Sequence, residues 1–196
     1  HIATHKGGHI VTLEDPVEFV FSSEKGLIRQ RQLGRDFLEF PAALRGVLRQ
    51  DPNIIMVGEM RDLETIAAAL TLAETGHLVF ATLHTPNAMQ TIDRIVDVFP
   101  PHQQQQIRTQ LSLSLRAIVA QRLVPCAHGG RVAQREVLIN TPAVANIIRD
   151  NRTPELKSVL QTGRDTGMCT FGKHAKELLK NGEIDKETYE WMKNEG

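Results

Sequence analysis

The stretch DPNIIMVGEMRD, Asp51 to Asp62, decides how the chain is read. Ile54, Ile55, Met56 and Val57 form an unbroken apolar run, as expected of a strand buried on both faces of a parallel sheet. The run then stops on Gly58 and Glu59. Burial gives a strand no reason to end on a carboxylate, whereas a reaction at the sheet edge does. Asp62 is a capping residue for a helix over Asp62 to Glu74, with apolar residues at Leu63, Ile66, Ala67, Leu70 and Ala73.

Two similar apolar runs flank this one, at His9 to Leu13 and His77 to Leu83. Helical patterns lie between and after them, at Pro41 to Gln50, which starts with a proline suited to a first turn, and at Asn87 to Val98. Strands alternating with helices predict an α/β fold, a mostly parallel sheet covered by helices on both faces. The segment Lys25 to Arg35 alternates more weakly and reads as an edge strand or a hairpin. After Phe99-Pro100-Pro101 the character changes. One long helix is predicted over His102 to Gln121, then two strands, Gln121 to Cys126 and Arg131 to Asn140, around the turn AHGG. Four short helical patterns follow from Thr141, broken near Asn151 to Pro154, Thr162 to Thr170 and Gly182. The expected division is a sheet domain over 1–140 and a helical subdomain over 141–196.

The 196 residues carry 23 basic and 23 acidic side chains. That balance gives no overall pull toward nucleic acid or an anionic membrane, so such a partner would need a local patch. The two cysteines, Cys126 and Cys169, stand far apart with no CxxC pair. This argues against a disulfide scaffold or a zinc module and fits a reducing cytosol. No apolar run approaches the roughly 18 residues of a membrane span. The chain opens at His1-Ile2-Ala3 without a methionine and is expected to be part of something longer.

Each apolar run ends in side chains able to do chemistry: Glu14-Asp15, Gly58-Glu59 and His84-Thr85. Ligands of open parallel sheets bind beyond the carboxyl ends of the strands. Parallel neighbours would therefore bring Glu14, Asp15, Glu59 and His84 to one edge, a set suited to hydrated Mg²⁺, a water and a phosphate. Taken singly, each acid has a plainer role as a cap or turn residue, and Asp15-Pro16 starts a turn on its own account. Three such ends in one chain favour the functional reading. The histidines do not form a metal set: His5 and His9 are separated by Gly7-Gly8, and His77 and His84 stand at opposite ends of one strand. Arg29, Arg31 and Arg35 either guard an edge strand or reach a phosphate in the same or a neighbouring subunit.

On these residues the chain resembles the secretion ATPases, a family of hexameric RecA-like motors. VTLEDPVEF, Val11 to Phe19, is similar to their Asp box. DPNIIMVGEMRD is similar to their Walker B segment, and TGHLVFATLHT, Thr75 to Thr85, to their His box. TIDRIVDVFP, Thr91 to Pro100, and the later AQRLVP are similar to the pilus retraction motors, the PilT and PilU group. AVANIIRD, Ala143 to Asp150, resembles a helix of that group but has Ala145 where an arginine is usual, which leaves the subtype open. The four-cysteine zinc element common in pilus assembly and type II secretion motors has no counterpart among these residues.

The resemblance implies a RecA-like core and ATP hydrolysis with Mg²⁺. It implies a homo-hexamer, located in the cytoplasm at the inner membrane, that acts on a membrane platform protein to retract a type IV pilus. Glu14 would position or deprotonate the attacking water beside Mg²⁺, with Asp15 supporting its loop. Glu59, after Gly58, would hold the Mg²⁺ shell or the water; which glutamate is the base stays open. His84 would sense the γ-phosphate, His77 would couple the site to the subunit contact, and Arg29, Arg31 and Arg35 would stabilise phosphate charge. A phosphate cradle GxxxxGK[ST] is not among these residues, and HKGGH, His5 to His9, does not substitute for it. The expectation is that these residues alone bind ATP weakly. The alternatives are an assembly or secretion motor, or a non-catalytic paralogue that joins a ring.

Overall fold

In the computed structural model, which describes residues 1–194, the chain divides into two compact units, His1–His84 and a second from Thr85 onward. The first unit runs α1 (Ile2–His5), β1 (Gly8–Glu14), β2 (Gly26–Gln32), α2 (Phe40–Val47), β3 (Ile54–Val57), α3 (Leu63–Glu74) and β4 (Leu78–Ala81). The four strands form one parallel sheet in the order β2-β1-β3-β4. The α/β fold with a parallel sheet is therefore as expected. Lys25 to Arg35 supplies the edge strand β2, and its parallel pairing with β1 rules out a hairpin.

The core of this unit lies on one face of the sheet. Val11 and Leu13 of β1 and Ile55 and Val57 of β3 pack against Leu44 and Val47 of α2, with Phe37 and Leu72 beside them. Those six strand and α2 side chains are fully buried, each worth about 1.5–3 kcal/mol relative to exposure. The expected cover on both faces is not complete here. Leu78 and Phe80 of β4 share the opposite face with Ile54 and Met56 and remain 40% and 49% exposed. Asp62 caps α3 as predicted, accepting from the Thr65 amide at 2.8 Å and the Thr65 hydroxyl at 2.7 Å.

The second unit runs α4 (Ala88–Asp97), α5 (Pro101–Ser114), β5 (Ala117–Pro125), β6 (Arg131–Ile139), α6 (Pro142–Arg149), α7 (Leu156–Thr162), α8 (Phe171–Lys180) and α9 (Lys186–Asn194). The strands β5 and β6 make their own antiparallel pair. Val124 of β5 packs with Ala175 and Leu178 of α8, with Ile184 and with Met192 of α9. The predicted helix over His102 to Gln121 is corrected: α5 stops at Ser114, and Ala117 to Gln121 are strand. Asn140, beyond β6, makes the stop. Its side-chain amide donates to the carbonyls of Ser112 at 2.9 Å and Leu115 at 2.8 Å, satisfying acceptors that the helix end leaves free.

Candidate active site

The register of the sheet assembles the site. Glu14 is the last residue of β1, level with Gln32 on β2, and Gly58 follows β3 beside it. The Gly58 amide donates to Leu13 O at 2.7 Å. A Cβ at position 58 would lie 3.0 Å from Leu13 O and 3.2 Å from Glu14 Cα. Gly58 is thus needed for the close approach of two backbones, and it sets Glu59 next to the point where β1 delivers Glu14. Just beyond β4, the Thr82 hydroxyl donates to Gly58 O, and Thr82 O accepts from the Met60 amide at 3.0 Å. The turn carrying Glu59 is pinned from both sides.

The two glutamates are held differently. Glu14 is 6% exposed, and its Oε1 accepts from the Thr12 hydroxyl at 2.6 Å and the Gln30 side-chain amide at 2.9 Å. Both donors are neutral. Glu59, also largely buried, is ion-paired with Arg61 and lies 3.4 Å from His84 Nε2. The Arg61 guanidinium, by hydrogen bond and charge, outweighs the opposing effect of burial and holds the Glu59 carboxyl below its ordinary range, with His84 adding to the same side. Arg61 in turn feels the charge of Asp15 as well as Glu59. Glu14, Asp15, Gly58, Glu59 and His84 therefore gather at one sheet edge.

The other sequence candidates lie elsewhere. His77 precedes β4 and binds locally, its Nδ1 3.0 Å from the Thr75 hydroxyl and 3.1 Å from Leu72 O. Arg29 and Arg31 are level with Val11 and Leu13, on the sheet face opposite Glu14. Arg31 donates to Asp36 O at 2.7 Å and sits over the Phe37 ring, and Arg35 is exposed beside Asp36. Sequence reasoning missed Thr12, Gln30, Arg61 and Thr82. Arg61 was within the opening stretch, two residues after Glu59, and the alternation of β2 could have marked Gln30 as sharing a face with Thr12.

Among the described residues no three His, Cys, Asp or Glu side chains are placed to hold one metal ion, so the donor set is the two carboxylates, with His84 beside Glu59. Glu59 Oε2 is buried with only the His84 Nε2, at 3.4 Å, beside it, and the hydrogen bonds to Glu14 both end on Oε1. A ligand would meet the second oxygen of Glu14 and, at Glu59, the oxygen that faces His84. This fits Mg²⁺, which keeps several waters and takes one or two carboxylates plus phosphate oxygens, and does not form an all-protein cage.

The paired acids lie where ligands of open α/β sheets bind, beyond the carboxyl ends of the parallel strands. Residues 1–195 match the family described as type II/IV secretion system protein, and the chain belongs to that family. It is 52% identical over 179 residues to the type IV pilus retractation ATPase PilT of Pseudomonas aeruginosa, covering 91% of this chain and 52% of the relative. It is 53% identical over 177 residues to a twitching motility protein of Neisseria gonorrhoeae, covering 90% and 47%. The crystal structure of the pilus retraction motor PilT with bound ADP superposes with a TM-score of 0.87 at 47% identity, over 96% of this chain and 53% of that one. The chain spans about half the length of these relatives.

Proposed function

We propose that this chain is part of an ATP-hydrolysing motor subunit that powers retraction of a type IV pilus. One observation carries the reading: Glu14 and Glu59 meet at neighbouring strand ends, on a chain half identical to a pilus retractation ATPase. The phosphate cradle lies, in this reading, in residues outside these 196, and these residues by themselves bind ATP weakly. Glu14 is the base that takes a proton from the attacking water, because its partners are neutral. Glu59, its carboxyl held down by Arg61, is the weaker base and holds the hydrated Mg²⁺. The ion, when bound, would draw charge from the β- and γ-phosphates. His84, 88% exposed at the edge, reaches the γ-phosphate, and Asp15 keeps Arg61 in place.

The same reading makes the working unit a homo-hexamer in the cytoplasm at the inner membrane, pushing on a membrane platform protein. Arg29, Arg31 and Arg35, which lie apart from Glu14, serve the site of the adjacent subunit, and His77 couples the two. No helix among the described residues is long and apolar enough to cross a membrane. The test is steady-state ATPase of the whole protein that carries this segment. Glu14→Gln is expected to lower kcat by about 10²–10⁴-fold, the usual share of a general base, with ADP binding retained. Full activity in that variant refutes the reading.

A further inference from the structure

Both ends of the Gln30 side chain are engaged. Its Nε2 donates to Glu14 Oε1 at 2.9 Å and to Phe19 O at 2.8 Å, and its Oε1 accepts from the Phe21 amide at 2.8 Å. A primary amide has two N–H donors, and both are taken here. A flipped amide would set its oxygen against a carboxylate and a carbonyl, so the arrangement fixes the orientation. The register places Gln30 level with Thr12 and on the same face as Glu14. Thr12 and Gln30 thus grip the same oxygen of Glu14 and stop the carboxylate from rotating.

The other end of this grip is a surface segment. Phe19, Val20 and Phe21 are 69%, 80% and 45% exposed, and the two rings lean on each other, 5.4 Å between centroids. Among the described residues, the backbone hydrogen bonds of this segment run to Gln30. Phe19 and Phe21 are thus held to the sheet by one side chain, which also holds Glu14, while the loop is bonded to β2 on either side of them, Val17 to Gln32 and Ser23 to Ile28.

We propose that Gln30 is a positioning residue that couples the Phe19–Phe21 segment to the Glu14 carboxylate, so that order in the segment sets the aim of the base. The inference rests on the reading of Glu14 given above. A Gln30 that only supported the loop would not pass a disturbance of the loop to the chemistry. A Gln30 that links the two must do so, and must do so only while its amide is present.

The test is a double-mutant cycle in the whole protein, read as ATPase kcat and KM. Gln30→Ala is expected to lower kcat about tenfold at unchanged KM, in keeping with loss of one hydrogen bond to a charged group. Gln30→Met, which keeps the volume, should do the same and guards against a folding defect in the alanine variant. The double substitution Phe19→Ala and Phe21→Ala removes only exposed rings. It should lower kcat several-fold while Gln30 is in place, and not at all in the Gln30→Met background, where the amide is gone. Amide hydrogen exchange at Phe21 should quicken in Gln30→Met whether or not the protein turns over ATP. Wild-type kcat in Gln30→Met, or an equal effect of the loop substitutions in both backgrounds, overturns the coupling. Full activity in Glu14→Gln would instead overturn the site reading beneath it.

Discussion

Replacing Gly58 by alanine tests the geometry of the site without touching a charge. The new methyl would sit 3.0 Å from Leu13 O and 3.2 Å from Glu14 Cα. Both are backbone atoms of a strand paired on either side, so β1 and the turn after β3 must separate by a few tenths of an ångström. Forcing one extra carbon into such a place costs about 1–3 kcal/mol. Loss of glycine's freedom in the unfolded chain returns about 0.4–1 kcal/mol. At mid-range the net destabilisation is about 1.3 kcal/mol, or about 3–5 °C in Tm for a chain of this size. The opposite result is expected for Gly46→Ala, because that glycine lies inside α2 with nothing within 4 Å of the added carbon; it should gain about 0.5–1 kcal/mol. Far-UV circular dichroism follows both units, whereas the single tryptophan, Trp191, belongs to the second. If the units unfold separately, Gly58→Ala should move the dichroism transition and leave the fluorescence transition in place. A Gly58→Ala protein that melts at or above the wild-type temperature refutes the close-approach account of this glycine.

The remaining predictions concern the groups around that turn. Arg61→Ala should let the Glu59 carboxyl rise toward its ordinary range, because the guanidinium is the main cause holding it down. A depressed carboxyl stabilises the fold above its unfolded pKa, roughly 4.3, and that contribution is lost as pH falls through the folded value. The Tm difference between wild type and Arg61→Ala should therefore be present at pH 7 and vanish in the acid limb, and it should shrink in high salt because Arg61 is exposed. Asp62→Ala removes the cap of α3 and should cost about 0.5–2 kcal/mol, whereas Asp62→Asn should cost little, as urea titration would report. Thr82→Val loses the hydroxyl bond to Gly58 O and should lower kcat of the whole protein more than it lowers Tm, because the turn it pins carries Glu59.

How far the fold and site could be read from the residues depends on where the deciding information lies. Strands β1 and β3 were legible because an inner parallel strand has both faces covered, which leaves an apolar run; β4, at the edge of the sheet, carries such a run as well although Leu78 and Phe80 are exposed. The carboxyl edge was legible for the same reason: polar residues at the ends of such runs stand out. The end of α5 was not. Ile107, Leu111, Leu115 and Ile118 are spaced four, four and three apart, a helical stripe that continues past the true boundary. What stops the helix is Asn140, 25 residues beyond Leu115, whose amide takes its last carbonyls. Ile118 then enters a strand in which Ala120 and Val124 are buried at even spacing.

The site shows the same limit at closer range. Glu14 and Glu59 are announced by their own local sequence, but what distinguishes them is not. Their difference arises from Gln30 on the strand beside Glu14 and Arg61 in the turn that carries Glu59, brought in by register and by the fold of that turn. Glu14 is held by neutral donors, and a cationic grip lowers the basicity of Glu59. The proposed division of tasks between two acids of the same kind, on backbones that nearly touch, thus rests on residues that no pattern of acids could reveal. Removing the Arg61–Glu59 ion pair is the sharpest check of that division. Arg61→Gln combined with Glu59→Gln should leave proton abstraction by Glu14 intact while raising the Mg²⁺ concentration needed for half-maximal rate. If that variant instead loses all turnover at saturating Mg²⁺, Glu59 is the base and the roles assigned here are reversed.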